Sequence, residues 1–305
     1  MRQDDRTSSQ EGMQIQWYPG HMTRTRRMIA DQVRLMDAVC EILDARVPLS
    51  SRNPDVEELT AGKPRLILLN RVDLADPAAT RRWAAWFRQQ GFAVLEMNAR
   101  AGQGTAKFPA AVRELLRDKL TAYAEKGQAG RTIRVMVLGI PNVGKSTFIN
   151  QVSGRRTARA EDRPGVTRGK QWVPVDRTLE LLDTPGILWP KFEDRQVGMN
   201  LAYTGAVRDE IMDLETLACH LAAYLGKHYP QALAAGYKLS VLPEREAEEN
   251  DAAWGYRLLE SAGRKRGFLI SGGEVDTERA ARILLDEFRG GRLGRFTLEL
   301  PEEQT

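Results

Sequence analysis

The stretch "IRVMVLGIPNVGKSTFINQVSG" constrains the fold more tightly than any other segment. An apolar run, Ile133–Gly139, enters a short loop and leaves as a helix-forming run, and "GIPNVGKS" satisfies G-x-x-x-x-G-K-[ST] in that strand–loop–helix setting. Gly139 and Gly144 let the backbone curl so that successive N–H groups converge on phosphate oxygens. Lys145 would then bridge the β- and γ-phosphates and Ser146 would ligate Mg²⁺. Pro141, Asn142, Val143, Gly144, Lys145, Ser146 and Thr147 are accordingly the expected phosphate-side contacts.

Such a loop needs a parallel sheet beneath it, and the flanking sequence supplies one. Apolar runs at Ala38–Leu43, Arg65–Asn70, Phe92–Asn98, Ile133–Gly139 and Thr178–Asp183 alternate with stretches of helical spacing, "PAATRRWAAWFRQQ" and "TAKFPAAVRELLRDKLTAYAEK". That alternation predicts an α/β unit with a mostly parallel sheet and helices on both faces. Downstream, "LLDTPG" offers Asp183 to the metal through water and the Gly186 amide to the γ-phosphate. In between, "RPGVTRG" offers the Thr167 hydroxyl as a further Mg²⁺ ligand.

The base would be read by "NRVD". Asp73 can accept from guanine N1–H and the 2-amino group together, a pairing adenine leaves unmade at a cost of several kcal/mol. Asn70 would meet the other edge of the base and brace the phosphate loop, with Arg71 and Val72 completing the turn. Arg71 stands where N-K-x-D motifs carry lysine, and its guanidinium plane can lie along base and ribose. In "MNARAGQG", Asn98 ends a strand and the Ala99 N–H is placed to reach guanine O6.

The base-reading loop precedes the phosphate loop by roughly seventy residues, whereas ordinary GTPases have the opposite order. Ligands of open parallel sheets bind beyond the carboxyl ends of the strands, so the site is indifferent to chain order. The order is that of a circular permutation. With "NRVD", "NAR", "GIPNVGKST", "PGVT" and "DTPG" in that sequence, the chain resembles the circularly permuted GTPases. "WYPGHM" (Trp17–Met22), "LDARVPLSSRNP" (Leu43–Pro54) and "DEIMDLETLA" make it similar to the YlqF/RbgA ribosome-biogenesis family from Ile15 onward.

That resemblance implies a cytoplasmic bacterial-type GTPase (or an organellar relative), monomeric and slow until stimulated, that acts late in maturation of the large ribosomal subunit and binds the precursor and its rRNA. It also implies a water-positioning role for His21. Many GTPases place glutamine directly after DxxG, but Ile187 stands there, so Lys145, Thr167 and an imported His21 would carry the catalysis. Asn142 matches the asparagine with which related K⁺-stimulated GTPases hold their ion. The expected cofactors are therefore GTP or GDP, Mg²⁺ and K⁺.

The rest of the chain bounds the alternatives. Residues 1–14 are polar and read as a disordered tail, 15–192 as the GTPase domain, and 193–305 as a smaller, mainly helical domain. In the last, Ile211, Leu214, Leu217, Ala218, Leu221 and Leu225 share a helical face, Asp276 is a cap candidate, and "RFTLEL" reads as a short strand. Arg264, Lys265 and Arg266 in "GRKRG" are the RNA-binding candidates, followed by Arg279, Arg282, Arg289, Arg292 and Arg295. Two cysteines without CxxC spacing argue against a zinc site or disulfide framework, and no run of apolar residues is long enough to span a membrane. An RNA-docking scaffold that holds GTP with negligible turnover remains an alternative. So does a GTPase of tRNA modification or signalling, which the permuted order disfavours.

Overall fold

The computed structural model describes residues 20–154, 171–186, 188 and 194–301; the side chains of residues 20–25 and of Ile211 also lie outside the description. Six strands form one sheet: β1 (Ala38–Asp44), β2 (Arg65–Asn70), β3 (Ala93–Glu96), β4 (Ile133–Gly139), β5 (Gln171–Asp176) and β6 (Leu179–Asp183). Their order is β3-β2-β1-β4-β6-β5, parallel throughout except for the antiparallel edge strand β5. The four motif-bearing loops after β2, β3, β4 and β6 therefore share one edge of the sheet, whatever their order in the chain. This topology accords with the permuted reading.

Helices cover both faces. On this part of the chain they are α1 (Gly20–Val33), α2 (Pro54–Leu59), α3 (Pro77–Gln89), α4 (Phe108–Leu115), α5 (Arg117–Glu125) and α6 (Lys145–Ser153). Leu66, Leu68, Val135, Val137 and Phe148 pack on one face, while Ile67, Leu69, Trp83 and Phe87 pack on the other. Strands buried on both sides read as continuous apolar runs, which is why β1, β2 and β4 were visible in the sequence. The helical spacing over residues 105–126 resolves into a 3₁₀ turn followed by α4 and α5, broken at Leu116. Strand β5 was missed because Pro174 interrupts it, a residue that only an edge strand tolerates.

A second apolar cluster is built by α7 (Arg195–Tyr203), α8 (Leu214–His228), α9 (Pro230–Tyr237), α10 (Asp251–Lys265) and α11 (Thr277–Arg289). The α8 helix starts at Leu214, where the Asp213 side chain accepts from the Glu215 and Thr216 amides, rather than at Ile211. Asp276 caps α11 as expected, accepting from Arg279 N, and Gly290 ends it. Helix α7 joins the two clusters, giving Leu201 to the sheet core and Met199, Ala202 and Tyr203 to the helical one.

The "RFTLEL" segment is not a sheet strand. Its backbone donors go to loops: Phe296 N to the Leu74 carbonyl at 2.9 Å and Leu298 N to the Arg46 carbonyl at 2.8 Å. Among the described residues no helix is long and apolar enough to cross a membrane.

Candidate nucleotide site

Two of the phosphate-loop residues adopt left-handed backbone, Asn142 at φ 59° and Gly144 at φ 97°. Gly139 does not, and its requirement is room: an added Cβ would lie 3.0 Å from the Ile42 carbonyl oxygen and 2.9 Å from Val143 Cγ1. At Gly144 both demands coincide, because a Cβ there would also strike Asn70 Nδ2. From Gly144 the chain enters α6, so the helix's first amides, at Lys145, Ser146 and Thr147, lie at the loop's mouth.

Asn70 is the brace the sequence suggested. Its buried carboxamide donates to the Val143 carbonyl at 2.8 Å and accepts from Ala99 N at 3.0 Å, fastening the NRVD, phosphate and NAR loops together. That second bond corrects one expectation: the Ala99 N–H is directed at Asn70 Oδ1 rather than offered freely to a guanine O6. Asn98 is buried and structural as well, its side chain accepting from Ala101 N at 3.1 Å and its backbone N–H donating to Gln103 O at 3.0 Å.

Arg71 sits at φ 61°, a region that non-glycine residues enter at a cost of order 1 kcal/mol. The conformation sends its guanidinium across the phosphate loop to the Asn142 carbonyl and to within 3.7 Å of Asp44 Oδ2. Arginine in place of lysine thus clamps the loop from above. Asp44 also holds Arg46 by two side-chain hydrogen bonds of 2.9 and 2.8 Å, in a pair that is almost wholly buried. Burial pushes the Asp44 carboxyl up, but the Arg46 charge and hydrogen bonds outweigh it and hold it below the usual carboxylate range.

On the phosphate side, Lys145 Nζ donates to Asp183 Oδ1 at 2.6 Å and to the Thr184 carbonyl. Burial pushes the Lys145 ammonium down and the Asp183 charge opposes that. Thr184 Oγ1 donates to the Val137 carbonyl at 2.7 Å, locking the start of the DxxG loop to β4. Gly186 approaches so closely that a Cβ would stand 3.0 Å from Pro141 N and Cα, which are backbone and cannot yield. Phosphate loop and DxxG loop therefore form one cradle with a cation and an anion at its floor. Among the described residues no cluster of three or more His, Cys, Asp or Glu makes a metal cage. The Ser146 and Asp183 pair suits instead a Mg²⁺ carried largely by phosphates.

Asp73 is exposed, and among the described residues no protein group is hydrogen-bonded to its carboxylate. Val72 N donates to Met97 O at 3.4 Å. Asn142 donates through Nδ2 to the Gly205 carbonyl at 2.8 Å, tying the phosphate loop to the end of α7. Thr167 and Ile187 lie outside the described residues; His21 falls on α1, but its side chain is outside the description.

Among the RNA-binding candidates, Lys265 is exposed, Arg264 pairs with Glu260 at 3.0 Å, and Arg266 pairs with Glu287 at 2.6 Å while lying over the Tyr237 ring. Arg289 is partly buried and Arg295 exposed, and both are engaged by protein groups. Arg289 grips Asp209 at 2.8 Å and the Tyr203 and Ala202 carbonyls, and Arg295 donates to Val72 and Ala75 carbonyls. Sequence reasoning missed the Asp44–Arg46 pair and the 295–299 segment. The first has a signal, an Asp-x-Arg at the end of a mostly apolar run; the second has none within reach of local patterning.

A family model described as 50S ribosome-binding GTPase matches residues 134–225. Ribosome biogenesis GTPase A of Bacillus cereus is 45% identical over 291 residues, covering 95% of each chain. The protein of that name from Priestia megaterium is 44% identical over 292 residues, covering 95% of this chain and 98% of its own. Among solved structures, GNP-bound YlqF from Thermotoga maritima superposes with a TM-score of 0.61 at 28% identity, over 92% of this chain and 99% of that one. The cradle, the base-reading loop and this likeness along nearly the whole length agree: the chain is a GTPase and belongs to the ribosome biogenesis GTPase A family.

Proposed function

We propose that this GTPase times an event in maturation of the large ribosomal subunit, binding the precursor particle and its rRNA and leaving on hydrolysis. The observation that carries the nucleotide half of the reading is the Asn70 carboxamide, which holds base-reading and phosphate loops in one unit. Asp73 reads guanine, and the amides from Asn142 to Thr147 and Lys145 neutralise the phosphates. Ser146, Thr167 and, through water, Asp183 would hold Mg²⁺, which would supply positive charge against the phosphates, and the Gly186 amide would meet the γ-phosphate. Asn142 keeps its Oδ1 for K⁺ while Nδ2 is engaged by Gly205. His21 positions the attacking water.

The names of the relatives support the ribosomal half, and the helical part from 193 to 305, with Arg264, Lys265 and Arg266 at its surface, is its docking domain. Single-turnover hydrolysis with and without large-subunit precursor particles tests the reading. Stimulation by the particle is expected. Stoichiometric binding with unchanged turnover would leave the scaffold alternative instead. Asp73→Asn should weaken GTP binding by orders of magnitude in calorimetry, and equal affinity would end the guanine assignment.

A further inference from the structure

The base-reading loop is held in place from the far end of the chain. Between Asn70 and Pro77 the backbone turns away from β2 before α3 begins; Val72 N still reaches Met97 O and Leu74 N reaches Arg71 O, but the Val72, Leu74 and Ala75 carbonyls and Asp76 N find no partner in the sheet. Residues 295–297 satisfy these. Arg295 donates through one guanidinium nitrogen to the Val72 carbonyl at 2.6 Å and through Nε to the Ala75 carbonyl at 3.1 Å. Phe296 N donates to the Leu74 carbonyl at 2.9 Å, and Thr297 Oγ1 accepts from Asp76 N at 3.1 Å. The two carbonyls taken by Arg295 bracket Asp73.

From this geometry we infer that Arg295 is a positioning residue for guanine recognition: its two-pronged grip on the carbonyls of Val72 and Ala75 sets where the Asp73 carboxylate points. The inference rests on Asp73 as the guanine reader. A carboxylate that must accept from two donors on one base edge is sensitive to its angle, and a turn that includes Arg71 in a left-handed conformation does not hold that angle unaided. A planar fork fixes two carbonyls at a set separation, which a lysine's single ammonium cannot reproduce. The partners of Arg295 among the described residues are the Val72 and Ala75 carbonyls, and it acts through the loop.

The inosine nucleotide IDP lacks the 2-amino group, so the ratio of GDP to IDP affinity reports how well Asp73 is aimed, while the phosphate contacts cancel. Arg295→Ala and Arg295→Lys are expected to lower that ratio roughly tenfold, the scale of one charge-assisted hydrogen bond. A purely structural role would reduce thermal stability and leave the ratio at the parent value. If Arg295→Ala does not fold, Arg295→Lys carries the test. A parent-like ratio in either folded variant overturns the inference. Asp73→Asn in the same titration separates the two levels: parent-like affinity and ratio there would remove the guanine assignment itself. A collapsed ratio in Asp73→Asn beside an intact one in the Arg295 variants would remove only the role of Arg295.

Discussion

Glu299 offers the most demanding test of how the helical part is fastened to the GTPase sheet. Its carboxylate is buried, and it accepts from Leu49 N at 2.8 Å, Ser50 N at 3.0 Å, the Ser50 hydroxyl and Asn200 Nδ2 at 3.1 Å. Truncation in Glu299→Ala removes the acceptor for all four. Asn200 Nδ2 still donates to the Ser50 hydroxyl oxygen at 3.0 Å, so two backbone amides and the Ser50 O–H are left without an acceptor. Each buried orphan costs about 1–3 kcal/mol. Relief of a buried carboxylate, whose titration burial pushes up, returns a part. The net expectation is a loss of about 2–4 kcal/mol, or roughly 3–6 °C in the melting midpoint at this chain size. Urea and thermal unfolding beside an exposed control, Glu248→Ala, would measure it; the control should stay within about 0.5 kcal/mol. A loss below about 1 kcal/mol in Glu299→Ala would refute the claim that these amides depend on one carboxylate.

Gly144→Ala should abolish measurable binding of a fluorescent GTP analogue, because φ 97° and the neighbouring Asn70 amide both reject a Cβ; retained binding would mean that the loop rearranges. The Asp44–Arg46 pair gives a pH signature. Since the folded carboxyl titrates below its unfolded value, its contribution is full above about pH 4 and is lost as pH falls through the folded pKa, so acid melts should steepen there. His21→Ala should keep GTP affinity while losing most particle-stimulated hydrolysis, a loss confined to the transition state. Turnover should be faster in K⁺ than in Na⁺ buffer, and equal rates would remove Asn142 as an ion ligand.

Much of the fold was legible because strands buried on both faces have continuous apolar runs, and β2 and β4 each end in a motif that their chemistry dictates. The phosphate loop, Asn70 and the DxxG loop were readable for the same reason: their partners are fixed by the ligand's shape. What stayed hidden was set by contacts distant in sequence. Asp44 looked like the end of an apolar run until Arg46 and Arg71 converged on it. Arg289 and Arg295 looked like members of a basic patch, yet each is engaged with backbone carbonyls, which no charge count reveals. Pro174 disguised an edge strand, and "RFTLEL" alternates like a strand although its donors serve loops.

The way residues 295–299 close over the 44–51 and 70–76 loops has a consequence for how the molecule comes into being. Translation delivers β1, β2 and β3 first, so the guanine half of the sheet is made before the phosphate half, and the free edge of β1 waits for β4. The loop that reads the base is among the earliest parts of the site to be made, but it is completed among the last. Asp76 and Thr297, which meet in its final hydrogen bond, are 221 residues apart. At ~5–20 residues per second that is a delay of roughly ten to forty seconds. Only in the later part of that interval, once residue 186 has been made, does the nascent chain hold a phosphate cradle without a finished guanine reader, so its choice of base should sharpen when residues 295–297 are in place.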